Sequence, residues 1–426
     1  MTMKLRNRLI ALVCLIIFIS LGALIFFSTT SRKPFSVILF VADNITPSSL
    51  TAARLYSGGG DARLQLEGFP NSALCRNAAT DFSVPDTASA STQIAAGKRV
   101  NRGSLCIEES GARLTSLLEK AAASGRSTGL VTSGTITGAT AAAFYAKSLD
   151  SENKADIALQ FTSHTPFDFV VGGGSKDFAP QGKQEATSGK GATTPSKSVR
   201  EETTLLHSLA ELESQPFWKK APQFGLLSSG PLYEAWSQDS SAPLLADLVR
   251  VAIKTLQTNR HGYLLVVDDP SIAAAAAAND GEAMLGRMLG FDQAIATARH
   301  YAGENALIIV CGRQNVGGFQ LNGHPFLHDK GVAILAVNNQ GYPSLSWSTG
   351  PGFSSESGET IRSSKKAVGN SNNPSVGILS QPSAYPLPRA ADNAGDVISL
   401  GTGQGSEKIH GFMDLTDLHR IIKESL

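Results

Sequence analysis

Net charge is the first thing this chain lacks. Its 37 Lys+Arg and 36 Asp+Glu leave a formal charge of +1 at pH 7, so nothing electrostatic marks it for nucleic acid or for an acidic partner. Cysteine is scarce too. The four, at 14, 75, 106 and 311, have neither the spacing of a zinc knuckle nor the density of a disulfide scaffold. Val13, before Cys14, is not the small residue a lipoprotein site requires. Cys75 and Cys106 could pair if their region is extracytoplasmic, and sequence alone leaves that open. No internal repeat is present, which excludes solenoids and propellers. What remains is a chain of 426 residues, 42% hydrophobic. That is enough core for one large α/β domain or two medium ones.

The longest apolar run is LIALVCLIIFISLGALIFF, Leu9 to Phe27. It is long enough to span a bilayer and exceeds the roughly 7–15 residues of a signal-peptide core. SLGALIFFSTTSRK offers no clean small-x-small cleavage site. The expectation is an uncleaved signal anchor: residues 1–8 a short cytoplasmic N-terminus, 9–27 a transmembrane helix, 28–34 a linker. Lys4, Arg6 and Arg8 favour N-terminus-in, which puts the rest on the extracytoplasmic, periplasmic side; Arg32 and Lys33 pull the other way. The alternative is a cleaved signal peptide and a secreted or periplasmic protein.

From residue 35 onward, strand-like and helix-like stretches alternate. SVILFVA, GLVTSG, FDFVVGGG, GYLLVVDD and ALIIVCG read as buried strands. SLTAARLY, ATAAAFYAKSL, APLLADLVRVAIKTLQ and FDQAIATARHYAG read as helices. Residues 175–202 and 340–392 are polar and Gly/Ser-rich, and read as loop-rich excursions. The alternation predicts a three-layer α/β/α sandwich with a mainly parallel sheet, spanning 35–426. Reactive groups in such sheets gather where strands end. The turns to inspect are 41–46, 83–91, 135–142, 266–277 and 310–318.

One of these turns, VVDDPSIAAAAAAND (266–280), is unusually bare. Alanine is the best helix former, so the run predicts a helix with Asp269 as N-cap and Pro270 at its first position.

Taken in order, the turns resemble the alkaline phosphatase family. SVILFVADNITPSSL matches its first block, VPDTASASTQIAAGKRVNRGSL its nucleophile block and TSGTITGATAAAFYAKS its third. GYLLVVDDPSIAAAAAAND with FDQAIATAR, then ALIIVCGRQNVGGF, then NAGDVISLGTGQGSEKIHGFMDLTD complete the set. The family holds two zinc ions and one magnesium, and attacks phosphate esters with a serine, the logic of two-metal phosphoryl transfer.

Carried over residue by residue, the resemblance puts Asp43 at the carboxylate that bridges zinc and magnesium. Thr87 stands where the serine nucleophile is expected, and Thr140 keeps the magnesium-side threonine. Gly138 replaces a ligand of the third block, and Glu152 falls at the phosphate-gripping arginine, inverting its charge. Asp268 matches the magnesium-ligand glutamate. Ala273 and Ala277 fall on a zinc-binding Asp and His, one helical turn apart. Arg313 and Gln314 replace a second Asp–His pair, and Asp392 or Asn393 stands at the last histidine. His324, His328, His410 and His419 match no ligand position.

The resemblance therefore implies a membrane-anchored family member that has lost its zinc ligands: a pseudophosphatase with a binding or structural role, and with Arg313 paired to Asp43 as a structural salt bridge. Zinc is not expected; magnesium on Asp43, Thr140 and Asp268 is the one metal with room left. Two alternatives stand beside it. One is a working phosphate-ester hydrolase with Thr87 as nucleophile and Arg313 in place of a zinc charge. The other is an anion-binding module acting through Arg313. A homodimer is expected from the family, the membrane is a partner through residues 9–27, and a phosphate ester is a partner only if the protein is active.

Overall fold

The computed structural model describes residues 3–30, 35–164, 167–178, 204–216, 221–236, 242–322, 332–335, 343–352 and 381–426. The chain divides into residues 1–34 and 35–426. The first unit is a helix, Met3–Thr30. Exposure is described there for residue 7 and for residues 10–22, all of them exposed. Among the described residues no helix is long and apolar enough to cross a membrane.

The second unit is built on strands β1 (Ser36–Ala42), β2 (Asn71–Arg76), β3 (Ser127–Thr135), β4 (Phe169–Gly173), β5 (Thr204–Leu206), β6 (Gln223–Leu226), β7 (Tyr263–Asp269) and β8 (Ala306–Gly312). Short β9 (Asn315–Val316), β10 (Gln320–Leu321), β11 (Leu345–Gly350), β12 (Ser383–Pro386) and β13 (Asp392–Asn393) follow. Then come β14 (Val397–Thr402) and β15 (Gly411–Asp414). Ten of these form one sheet in the order β15-β2-β14-β8-β1-β7-β3-β4-β6-β5. It is parallel except for β14, which runs against both neighbours.

The central strands are buried on both faces, which is why they read as unbroken apolar runs. In β1, Ile38, Phe40 and Ala42 join one core, while Val37, Leu39 and Val41 join the other. Helices Leu245–Leu256 and Gly281–Ala302 cover the first face, and Thr87–Ala96, Leu117–Ala123 and Leu415–Glu424 the second. This is the expected three-layer sandwich.

Several finer expectations are corrected. The alanine run forms the helix Ser271–Ala277, but its N-cap is Pro270 and Asp269 still belongs to β7. Asp269 is held in the sheet opposite Ala42, yet its Oδ1 accepts the Ser271 amide at 3.1 Å and so ties down the helix start. Cys75 and Cys106 are both free and buried. The Cys75 thiol faces the Ser399 hydroxyl at 3.2 Å, and that of Cys106 faces the Ala143 carbonyl at 2.9 Å. Within 340–392 the described part includes β11, β12 and β13. There Leu345 and Trp347 are buried and Trp347 meets Phe319 edge-on, while β12 beyond Ser383 is exposed. In 175–202 the described part is a single turn that buries Phe178. His324 and His328 lie outside the described residues.

His419 fixes the far end of helix Thr87–Ala96. Its Nδ1 lies 3.1 Å from the Ala95 carbonyl and its Nε2 2.9 Å from Lys120 Nζ. The ammonium can only donate, so Nε2 accepts and the neutral ring donates through Nδ1. Gly97 closes that helix at φ +72°, and a Cβ there would sit 2.7 Å from the imidazole. Burial first, then Lys120, lowers the His419 pKa to about 4 from the usual 6.5. The unfolded chain takes up that proton near pH 6.5 and the fold resists it until about 4. The His419 contribution is therefore complete above pH 6.5 and is lost as pH falls through this window, by about 3 kcal/mol at most. Urea unfolding at stepped pH should show this slope in the wild type and a flatter one in His419→Gln; equal slopes would contradict it.

Candidate functional site

β1 lies between β7 and β8, with Ala42 opposite both Asp269 and Gly312. One residue further on, Asp43 and Arg313 leave the sheet side by side. The Arg313 Nε donates to Asp43 Oδ1 at 2.9 Å, and its Nη2 donates to Asp43 Oδ2. Nη1 reaches the Ser91 hydroxyl at 3.4 Å. Asp43 is 0% exposed and Arg313 1%. A forked guanidinium thus covers both oxygens of a buried carboxylate, the geometry that lets such a pair survive desolvation. Burial opposes the charge on Arg313, and Asp43 more than offsets it, so the arginine pKa is raised.

The turns on either side are locked to each other. Asn44 sits at φ +58°, a conformation asparagine tolerates better than most residues. Its amide side chain pairs with both backbone groups of Val316, at 2.8 and 3.1 Å. Its own amide donates to the Gln314 carbonyl at 2.9 Å. Asn77 donates from its side chain to the Arg313 carbonyl. These contacts leave the guanidinium little freedom to swing away.

Asp268 and Asp392 complete the cluster. Asp268 Oδ2 accepts from Thr132 at 2.8 Å, while its buried Oδ1 has no partner among the described residues. Burial raises its pKa to about 7, against the pull of Arg313 and Thr132. Asp392 arrives on β13, which pairs with β9. Its Oδ1 accepts from Gln314 Nε2 at 2.8 Å. Burial, then Asp43, raises its pKa to about 6. Of the two residues weighed for the last histidine, Asp392 joins the cluster. Asn393 instead accepts the Gly395 amide at 2.8 Å.

Thr87 opens helix Thr87–Ala96 behind its N-cap Asp86, and Ser91, one turn later, carries that helix to Arg313. Thr140 is buried on the short helix Ala139–Ala143. No hydrogen bond joins it to Asp43 or Asp268 among the described residues. Gly138 caps that helix, and a Cβ there would meet the Thr135 carbonyl at 2.9 Å, so the position has closed to a ligand side chain. Ala273 and Ala277 present only methyls. Glu152 points outward, 80% exposed, 3.6 Å from Lys154. Ser91, Asn44 and Asn77 were not singled out from the sequence. Ser91 alone left a signal, standing four residues after Thr87 on the same helical face.

Zinc does not fit these residues. Both oxygens of Asp43 face the guanidinium, the helical ligand positions are methyls, and Gln314 turns a donor nitrogen to Asp392. Magnesium would need Asp43 as well, and is excluded from it while the ion pair is formed. Among the described residues no group of three or more His, Cys, Asp or Glu side chains could hold a metal.

Residues 35–426 match the family profile described as alkaline phosphatase. The chain is 26% identical to the tissue-nonspecific isozyme of alkaline phosphatase from Felis catus, over 88% of this chain and 80% of that one. It is 25% identical to a membrane-bound alkaline phosphatase of Bombyx mori, over 74% and 67%. Among solved structures, alkaline phosphatase from the Antarctic bacterium TAB5 superposes with a TM-score of 0.71 at 20% identity, covering 92% of this chain and 98% of that one. The Thermus thermophilus enzyme gives 0.67 at 20%, covering 93% and 92%.

The ion pair has a measurable signature. Arg313→Ala strands a buried carboxylate and should lower stability by about 3–5 kcal/mol, whereas Asp43→Leu with Arg313→Met, which removes both charges, should cost much less. Urea denaturation compares them. A single variant that loses less than about 1 kcal/mol would put the pair on a par with a surface ion pair.

Proposed function

The chain belongs to the alkaline phosphatase family, and from that premise we propose that it is a pseudophosphatase: a family scaffold held at a membrane surface that no longer turns over phosphate esters and serves in binding. The observation that carries this reading is the Arg313–Asp43 pair. Phosphoryl transfer needs cations aimed at charge that develops on the transferred group. The two zincs supply about four positive charges in the family's chemistry. Here one guanidinium stands in their place, and its charge is already balanced by Asp43.

The hydrolase reading keeps Thr87 at the start of a helix, where a nucleophile of this family belongs. It lacks a cation free to activate that hydroxyl or to receive the leaving oxygen. The anion-binding reading fails on access. Arg313 is 1% exposed, and its Nε, Nη1 and Nη2 all donate to protein oxygens. No forked edge is left for a phosphate.

The apolar run 9–27 supports membrane anchoring with the family domain on the extracytoplasmic side. A relative described as membrane-bound supports the anchoring. The family domain is proposed to form a homodimer.

The test is an aryl-phosphate assay on the purified full-length chain, with and without added Zn and Mg, beside elemental analysis of the same sample. We expect well under one zinc per chain, and a rate that Thr87→Ala does not change. Metal-stimulated turnover that Thr87→Ala abolishes would overturn the reading.

A further inference from the structure

Next to Thr87, the strap Asn101–Gly103 is held between two loops. On one side the Arg102 amide donates to Asp81 Oδ1 at 3.0 Å and the Gly103 amide to Asp86 Oδ2 at 2.7 Å. On the other, the Ser151 amide donates to the Gly103 carbonyl at 2.8 Å. The strap and both loops therefore form one continuous rim beside the start of the helix that carries Thr87.

Two features of this rim call for a partner. First, Phe82 and Leu149 are each 57% exposed, one on either loop. The Arg102 guanidinium covers one face of Phe82, 5.4 Å from the ring centroid, and the rest of that ring meets water. Large apolar side chains this exposed, on the two loops that flank one strap, give a partner apolar surface to cover. Second, the rim is acidic. It carries Asp81, Asp86, Asp150 and Glu152 beside Arg102 and Lys154. Two of the four already serve the strap backbone, and Asp150 accepts the Glu152 amide at 2.9 Å. Glu152 is 80% exposed, with Lys154 no nearer than 3.6 Å. Such a rim repels the dianion of a phosphate monoester and attracts cations.

Resting on the pseudophosphatase reading, we infer that this rim is a docking surface for a polypeptide segment that presents basic side chains between apolar ones. Its apolar residues would lie on Phe82 and Leu149, and its lysine or arginine would meet Glu152 and Asp150. The charge pattern selects this occupant over an acidic peptide or an anionic lipid surface, both of which it would repel.

The test uses the full-length chain in detergent micelles and three short synthetic peptides read by biolayer interferometry. One alternates Leu and Phe with Lys and Arg. The second carries Glu in place of the basic residues, and the third carries Ser in place of the apolar ones. Only the first should bind. Phe82→Ser and the charge reversal Glu152→Lys should each weaken it by about tenfold or more, with far-UV circular dichroism unchanged because both side chains are exposed and neither holds the strap backbone. Equal capture of the acidic peptide, or an affinity that neither variant alters, overturns the inference. Aryl-phosphate turnover by the wild type would defeat the pseudophosphatase reading without touching the peptide result, so the two can fail separately.

Discussion

Asp43 and Arg313 sit at the ends of adjacent parallel strands, and neither charge could remain in this core alone. Moving one ion out of water costs several kcal/mol even after the protein relaxes. Only a partner at contact, with its lone pairs and protons satisfied, offsets that. The register supplies such a partner: once Ala42 stands opposite Gly312, the next residues of the two strands meet. Asn44 and Asn77 then hold the two turns so that the fork cannot open. Every other feature of the site follows from this occupancy. Burial pushes the Asp268 and Asp392 carboxyls upward, and the one guanidinium they face, already matched by Asp43, does not bring them back down.

On the proposed pseudophosphatase reading, the scaffold outlives its chemistry because the two depend on different residues. Strand order, the two apolar layers and the helix ends are set by buried Val, Ile, Leu, Phe and Ala, and these still read as a family member. The ligand positions stand at strand ends and on one short helix. Replacing ligands there with alanine favours the helix Ser271–Ala277, since alanine has the highest helix propensity. On that reading, losing metal ligands need not have destabilised the fold, provided the remaining carboxylate found another cation. Arg313 is that cation.

Much of this was legible before any coordinates. Continuous apolar runs ended by acidic or glycine turns mark buried parallel strands, so the central strands and their ordered turns could be placed. The strand-end turns mark where such folds act, and within them the family resemblance singles out Asp43, Asp268, Arg313 and Gln314. What sequence did not carry was long-range pairing. Nothing local says that β13 pairs with β9, and that pairing is what brings Asp392 rather than Asn393 to Gln314. The Asn44 clamp on Val316 spans most of the chain, and no motif announces it. Register also decided the alanine helix. Asp269 is a good cap by type, but its backbone was already committed to the sheet. The resemblance sets Glu152 at a phosphate-gripping arginine's position, and the loop that carries it turns the side chain outward.

Crystals grown in excess zinc, with anomalous diffraction recorded across the zinc edge, address the central claim most directly. The account predicts no zinc peak within bonding distance of Asp43, and density for the Arg313 guanidinium lying flat against that carboxylate. A zinc peak coordinated by Asp43, with the Arg313 side chain displaced from it, would contradict the account.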